Sequence, residues 1–424
     1  MFQGNFHRVW AIFLIGAILG WGLTLPRVYG GPLRAGFAKR PITPQAPGQW
    51  LAGLGDPEDQ RRAEGVHDDI YCRVMALSDG TTTIALACLD LIGLFHHDCL
   101  DLRSRVRGLP PENVIIACTH LHSGPDTLGL WGPSHTESGV DPQYLAYVKE
   151  QAAAAINEAV ANLTPAVLRF ARTESPPKTS INVNDVDIID REVAIMQAVT
   201  PEGKVLGTLV NWTCHPEVLW TDNRLITSDF VGYLCAEVEQ AQGGVAVFFN
   251  GPLGGMVTAD NEGQHTFAEA ERIGRAVGAA VNAALAQPET VEKATIRLAR
   301  RVFQIELDNP GLEQLWQVGV IKRGPDEGPE AVTTEVYALR IGPAVFITMP
   351  GEVLPALGFL IKTLMDAKYK FFFCLAMDEL GYLLPETAVG LEKYAYEQSM
   401  SVNPRCAPLL IEQARKVLRQ VQGE

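Results

Sequence analysis

Short runs of consecutive apolar residues alternate along this chain with stretches in which apolar positions recur every three or four residues. The runs Thr82 to Leu91, Val114 to Cys118, Val205 to Val210, Val245 to Phe249, Ala344 to Thr348 and Phe371 to Ala376 have the length and side-chain character of buried strands. The stretches between them read as helices. One opens at Asp141-Pro142, an N-cap followed by proline at the first helical position, and continues to about Ala161. A second starts at Ser228 and stops at Gly243-Gly244. A third starts at Thr266 and carries an apolar stripe of Phe267, Ile273, Val277, Val281 and Leu285, and the last runs from about Pro408 to Gln422. Strands interleaved with helices predict an α/β fold: a mixed, largely buried β-sheet, or two sheets, with flanking helices. Residues Ile296 to Ile341 are more strand-like and are interrupted by a polar, Gly- and Pro-bearing insertion, Gly311 to Glu330. No low-complexity linker, repeat or heptad array follows residue 30, so 31–424 reads as a single large domain, with a boundary near residue 290 as the second choice.

The N-terminus breaks the pattern. Arg8 precedes an uncharged apolar stretch from Val9 to Leu25, and Val28-Tyr29-Gly30 ends in a small residue suited to signal-peptidase cleavage. Residues 1–30 are therefore expected to direct export to a periplasmic or extracellular location, as a cleaved signal peptide or as a membrane anchor at 9–25 that would hold the protein at a membrane surface. The 424-residue chain has a net charge of -14 and no basic run beyond its N-terminus, which argues against nucleic acid as a partner. Its eight cysteines are scattered, with no CxxC pair. Several, such as Cys88, sit in strand-like runs where a buried thiol is as good a reading as a disulfide. Nothing in the pattern speaks to oligomeric state.

Chemistry enters with the nine histidines. His120 and His122 flank Leu121 just after the strand ending at Cys118. On an extended chain an HxH step points both imidazoles to one side, so one can bind a metal while the other faces the same cavity. Ser123-Gly124-Pro125 breaks the strand and leaves the pair at a strand end, where α/β proteins place their sites. His215-Pro216, Glu352 in Met349-Pro350-Gly351-Glu352, and Tyr382 in Asp378-Glu379-Leu380-Gly381-Tyr382 likewise follow expected strands. Two histidines, a carboxylate and an oxygen ligand, with a water position to spare, match the donor set of a catalytic zinc.

The segments Ala35 to Pro44, Gly65 to Tyr71, Thr119 to Pro125, His215-Pro216, Pro350-Gly351-Glu352, Gly381-Tyr382 and Tyr396-Glu397 occur in the order found in the neutral/alkaline ceramidases, and the chain resembles that family of zinc amidases. The resemblance implies that 31–424 is a ceramidase-like metal-hydrolase catalytic domain in which His120, His215, Glu352 and Tyr382 ligate Zn2+. It further implies that His122 stabilises the oxyanion or moves a proton, and that Tyr396 is a second polar group near the scissile carbonyl. Three departures accompany it. The family's Asn-Arg pair near the metal is Asn184-Asp185 here, within Asn182 to Asp185. Its serine-bearing loop is Asn250 to Thr258, with no serine and with Thr258 as a substitute hydroxyl one position out of register. The C-terminal immunoglobulin-like domain of the larger members has no counterpart before Glu424.

The expected function is zinc-dependent cleavage of an N-acyl amide of a lipid or amphiphile by metal-activated water. The alternatives are a zinc hydrolase of a small soluble amide or ester, and an exported binding protein that keeps the metal site structurally. An apolar groove near His122 distinguishes the first from the second. His67-Asp68-Asp69 opens an expected strand and reads either as a buried, hydrogen-bonded structural trio or as a group that lines the cleft or binds a second cation, and His96-His97-Asp98 reads as structural because adjacent histidines on an extended chain point to opposite faces. Cys118 and Cys214 read as small buried hydrophobes.

Overall fold

The computed structural model describes residue 1 and residues 32–55, 59–324, 327, 328 and 330–423. The N-terminal stretch on which the export expectation rests lies outside the described residues. Three sheets dominate. The first has five strands in the order Val114–Cys118, Thr83–Leu89, Tyr71–Ser78, Arg34–Pro41 and Thr164–Pro165. The second repeats the plan with Val245–Asn250, Val205–Trp212, Glu192–Val199, Val167–Glu174 and Glu289–Val291. The third has four, Ile296–Glu306, Ala331–Ile341, Ala344–Thr348 and Tyr369–Phe373. In each, one edge pair is parallel and the remaining pairs are antiparallel. A parallel pair brings the carboxyl ends of both strands to one side, and the segments carrying His120, His215, Glu352 and Tyr382 all leave strands of these three pairs.

Helices cover the sheets where the apolar stripes direct them. Pro142–Ala161 packs on the first sheet, with the Asp141 carboxylate accepting from the N–H groups of Gln143 and Tyr144. Asp229–Gln242 and Phe267–Ala284 pack on each other and on the second sheet, the latter capped by Thr266 accepting from Glu269 N–H. Ala407–Gln422 covers the third sheet. No helix among the described residues is long and apolar enough to cross a membrane.

The sheets are tied together at the edges that build the site. Cys118 N–H donates to Leu375 O and Met377 N–H to Ile116 O, at 3.1 and 2.8 Å. The Asn211 side chain donates to the carbonyls of Phe249 and Phe372 and accepts from Phe372 N–H. A single hydrophobic core runs through all three sheets, with Phe249 stacked on Phe373 at 4.0 Å and Phe346 on Phe371 at 4.3 Å. The division near residue 290, the second choice from sequence, falls inside the strand that edges the second sheet. The eight cysteines are all free and buried.

The expected mixed, helix-flanked sheet is thus present, as three major sheets rather than one or two. The strand expected at Phe371 to Ala376 starts at Tyr369 and ends at Phe373, and the left-handed residues Leu375 and Met377 (φ 51 and 71°) follow it. The insertion read as polar holds a helix, Pro310–Gln317, capped by the Asn309 side chain. Leu312, Leu315 and Ile321 from this segment pack with Phe95, Ile92 and Leu128, so its apolar face is directed inward.

Candidate metal centre and its pocket

His120 leaves the first sheet in the left-handed region (φ 67°), a conformation that costs energy in a residue other than glycine and that turns its ring inward. Nδ1 of His120 lies 2.8 Å from Ile92 O, and Nδ1 of His215 lies 2.9 Å from Val257 O. Each ring therefore donates from Nδ1 to a backbone carbonyl and presents Nε2 inward, the orientation that such a carbonyl gives a metal-binding imidazole. The two Nε2 atoms lie 3.3 and 3.0 Å from the same oxygen, Oε2 of Glu352. Glu352 stands opposite Tyr382 in a two-residue parallel ladder, which sets the carboxylate and the phenol side by side. Gly381, before Tyr382, has φ 71°, and a Cβ there would come within 1.7 Å of Met400 O, so only glycine fits this approach.

His122 completes the centre. His120, His122 and His215 each offer a ligand atom, all within 4.8 Å of one another, and all three are buried. Neither ring nitrogen of His122 has a hydrogen-bond partner among the described residues. Its Nδ1 lies 3.4 Å from Oε2 of Glu217, a carboxylate 3% exposed. Arg61 donates to His122 O at 3.0 Å, and a Cβ at Gly53 (φ 88°) would overlap the His122 ring at 2.4 Å. Asn250 joins the two histidine segments: its side-chain amide donates to Thr119 O at 3.0 Å and to Cys214 O at 2.8 Å, and its Oδ1 accepts from Cys214 N–H.

The electrostatics favour a cation. Burial lowers the pKa of His215, yet the charges of Glu217 and Glu352 raise it to about 9. Burial pushes the Glu352 carboxyl up, but the charges and hydrogen bonds of His120 and His215 hold it well below the usual carboxylate range. Burial, with the positive charges of His120, His215 and Arg61, holds His122 well below its ordinary value and keeps the ring neutral at pH 7. Two converging Nε2 atoms on a shared carboxylate oxygen, with a third imidazole unpartnered beside them, form a nitrogen-and-oxygen donor set that fits a divalent transition metal.

The centre opens into a pocket lined by His120, His122, Glu352, Glu379, Tyr382 and Tyr396 at one end. Leu128, Trp131, Leu307, Leu312, Trp316, Ile321, Val332 and Val402 form its apolar walls, and the pocket holds about 800 Å³, part of it open to solvent. Tyr396, on the short helix Ala395–Ser399, is 55% exposed and meets the Tyr382 ring edge-on at 5.8 Å. The structure thus gathers His120, His122, His215, Glu352, Tyr382 and Tyr396 in one place. Thr258 is half-buried on the strand Val257–Ala259 and is not among the residues lining this pocket; the contact that strand makes to the centre is the Val257 carbonyl on His215.

The departing stretch 182–185 braces the Tyr396 helix. The Asn184 side chain donates to Glu397 Oε1 at 2.6 Å, and Asp185 pairs with Lys393. His67 is exposed, pairs with Asp68 at 2.7 Å and stacks on Phe267, and His96 faces Glu335 from the start of the helix His96–Ser104. Sequence reasoning missed Glu217, Glu379 and Asn250. The first follows His215-Pro216 and the second lies three residues before Tyr382, so proximity to those motifs was the available signal.

No family profile matches the chain. In sequence it is 24% identical over 240 residues to the neutral ceramidase of Pseudomonas aeruginosa, a match covering 51% of this chain and 36%, about a third, of that protein. In structure it is similar to a ceramidase complexed with C2, with TM-score 0.76 and 18% identity over 92% of this chain and 75% of that one. A crystal structure of neutral ceramidase from Pseudomonas aeruginosa gives TM-score 0.73 with the same identity and coverage. The motif-level resemblance, the sequence match and the fold point the same way: the chain has the fold of the neutral ceramidases and is similar to them in sequence.

Proposed function

We propose that the protein is a zinc-dependent hydrolase that cleaves the N-acyl amide of a lipid or other amphiphile. The observation that carries this reading is the apolar pocket that begins at His122 and Glu352 and is walled by Leu312, Trp316 and Ile321. A small soluble amide would leave that surface exposed, whereas an acyl chain would bury it at roughly 25 cal/mol per Å². His120, His215, Glu352 and Tyr382 would hold the ion, which when bound would acidify a water and polarise a carbonyl.

The remaining work falls to this chain's side chains. The apolar walls take the acyl chain and exclude water. His122, neutral and unpartnered, accepts the proton of the water as its oxygen adds to the carbonyl carbon, and returns it to the nitrogen as the C–N bond breaks. The Tyr396 phenol at the pocket mouth donates to the developing oxyanion. Glu217 holds the resulting imidazolium. The products are the carboxylic acid and the amine, and no acyl-enzyme forms, in keeping with the serine-free loop 250–258. The apolar stretch at 9–25 supports an exported or membrane-anchored setting, where such substrates reside.

The test is metal analysis of the purified chain followed by hydrolysis of a fluorogenic N-acyl lipid and a short-chain acyl amide. Stoichiometric zinc, activity abolished by chelation, and preference for the long-chain amide are expected. A metal-free protein, or equal turnover of both amides, would sink the reading.

A further inference from the structure

Glu379 is a carboxyl group in an apolar pocket with half of its hydrogen bonding undone. It is 6% exposed and lines the pocket beside His120, Glu352 and Tyr382. Oε1 accepts from Gly381 N–H at 3.0 Å, and Oε2 has no hydrogen-bond partner among the described residues. The nearby guanidinium does not serve it: Arg323 donates to both oxygens of Asp378, at 3.2 and 3.0 Å, and to Glu327 at 2.8 Å. Asp378 is saturated in turn by Arg323, His96 N–H and Glu379 N–H. Behind Glu379 the backbone closes tightly, since a Cβ on Gly93 would lie 3.0 Å from its Cγ and 3.3 Å from Oε2. Backbone thus packs directly against this side chain at Gly93.

A buried polar atom left in this state costs about 1–3 kcal/mol. An ordinary core position would carry Leu or Gln, so the pocket retains the group against its own stability. Oε2 is therefore the open hydrogen-bonding position of this carboxyl, in a pocket whose walls are otherwise largely apolar. An alkyl group would leave Oε2 unsatisfied.

We propose that Glu379 is the polar specificity contact of this pocket, hydrogen-bonding through Oε2 to an uncharged hydroxyl of the amphiphile close to the metal centre. The inference rests on the amphiphile reading above and refines it. The preferred ligand is an amphiphile with a hydroxyl near its head, and simple alkyl chains are discriminated against.

Two hydrolysis-inert probes separate this from its alternatives: 2-(octyloxy)ethanol and octyl ethyl ether, which differ by the hydroxyl. Their binding to the full chain as purified, with its metal, is measured by calorimetry for the wild type, Glu379→Gln and Glu379→Leu. The wild type is expected to bind the alcohol about tenfold more tightly than the ether, a ratio set by one satisfied buried hydrogen bond. Glu379→Gln keeps most of that ratio and Glu379→Leu brings it to about one. Thermal melting supplies the second readout. A binding-site carboxyl predicts that Glu379→Leu melts no lower than wild type, whereas a structural one predicts a lower midpoint. Equal wild-type affinity for the two probes, or a ratio unchanged in Glu379→Leu, overturns the assignment of Glu379 alone. Failure of both probes to bind overturns the amphiphile reading with it.

Discussion

The carboxylate of Glu217 lies 3.4 Å from Nδ1 of His122 and is the charged partner of that ring. His120 and His215 are held by backbone carbonyls, whereas Nδ1 of His122 faces this carboxylate. Glu217→Gln is expected to keep bound metal at the wild-type level while lowering kcat by about 10²-fold or more, the scale of general acid–base assistance. Loss of metal in parallel with activity would show that Glu217 serves the ion instead.

Substitution of His120 or Glu352 by Ala is expected to remove bound zinc, because each supplies one of the converging donor atoms. His122→Ala should retain zinc and lose turnover. Elemental analysis alongside a rate measurement separates the two classes. Full zinc occupancy in either of the first two variants would refute the ligand assignment.

Trp316 and Leu312 reach the pocket from a segment remote from the metal ligands in sequence. Trp316→Ala is expected to raise KM for a long-chain N-acyl substrate about tenfold and to leave a two-carbon acyl substrate almost unaffected, since only the long chain uses that wall. Equal effects on both substrates would place Trp316 in a purely structural role.

Asp229 is buried in the left-handed region (φ 52°), and burial raises its pKa from 3.8 to about 7. A carboxyl whose folded value lies above its unfolded value binds more protons when folded, so it favours folding at low pH and that advantage is lost as pH rises from about 4 to about 7. The span corresponds to on the order of 4 kcal/mol. Asn tolerates this backbone conformation. Asp229→Asn should therefore flatten the stability–pH profile across that window, measured by denaturant unfolding, and should gain most over wild type above pH 7. A profile that keeps the wild-type slope would assign the dependence to other groups.

Asn250→Ala leaves the Thr119 and Cys214 carbonyls and the Cys214 N–H without their side-chain partner. The expected cost is about 3 kcal/mol or more in unfolding free energy, together with weaker metal affinity because the two histidine segments are no longer tied. Unfolding midpoints and metal titration measure the two effects separately.

Much of this architecture is legible in the chain. Val114–Cys118 and Ala344–Thr348 are continuous apolar runs between breakers, and the helices beginning at Pro142 and Phe267 announce themselves through Asp141 and Thr266, because capping is a local interaction. His120, His215, Glu352 and Tyr382 are found by the same logic, each lying after a strand. Arg34–Pro41 and Glu192–Val199 were harder, since their apolar content reflects tertiary burial rather than a bounded run. Asn250 could not be seen, because nothing in a sequence says which polar side chain of a strand end turns inward, and Glu379 was signalled only by its nearness to Tyr382. The segment Gly311 to Glu330 misled for a related reason. Its few apolar residues are spaced on one face of a helix, and average polarity hides a face.

That segment sits between the two longest strands of the third sheet, Ile296–Glu306 and Ala331–Ile341, which pair directly with each other along their whole length. A hairpin loop of this kind can be exchanged without altering the register on either side. The part of the chain that supplies Leu312, Trp316 and Ile321 to the pocket wall is therefore modular, a cassette that can be lengthened, shortened or swapped to reshape that wall while the histidines and Glu352 stay where they are.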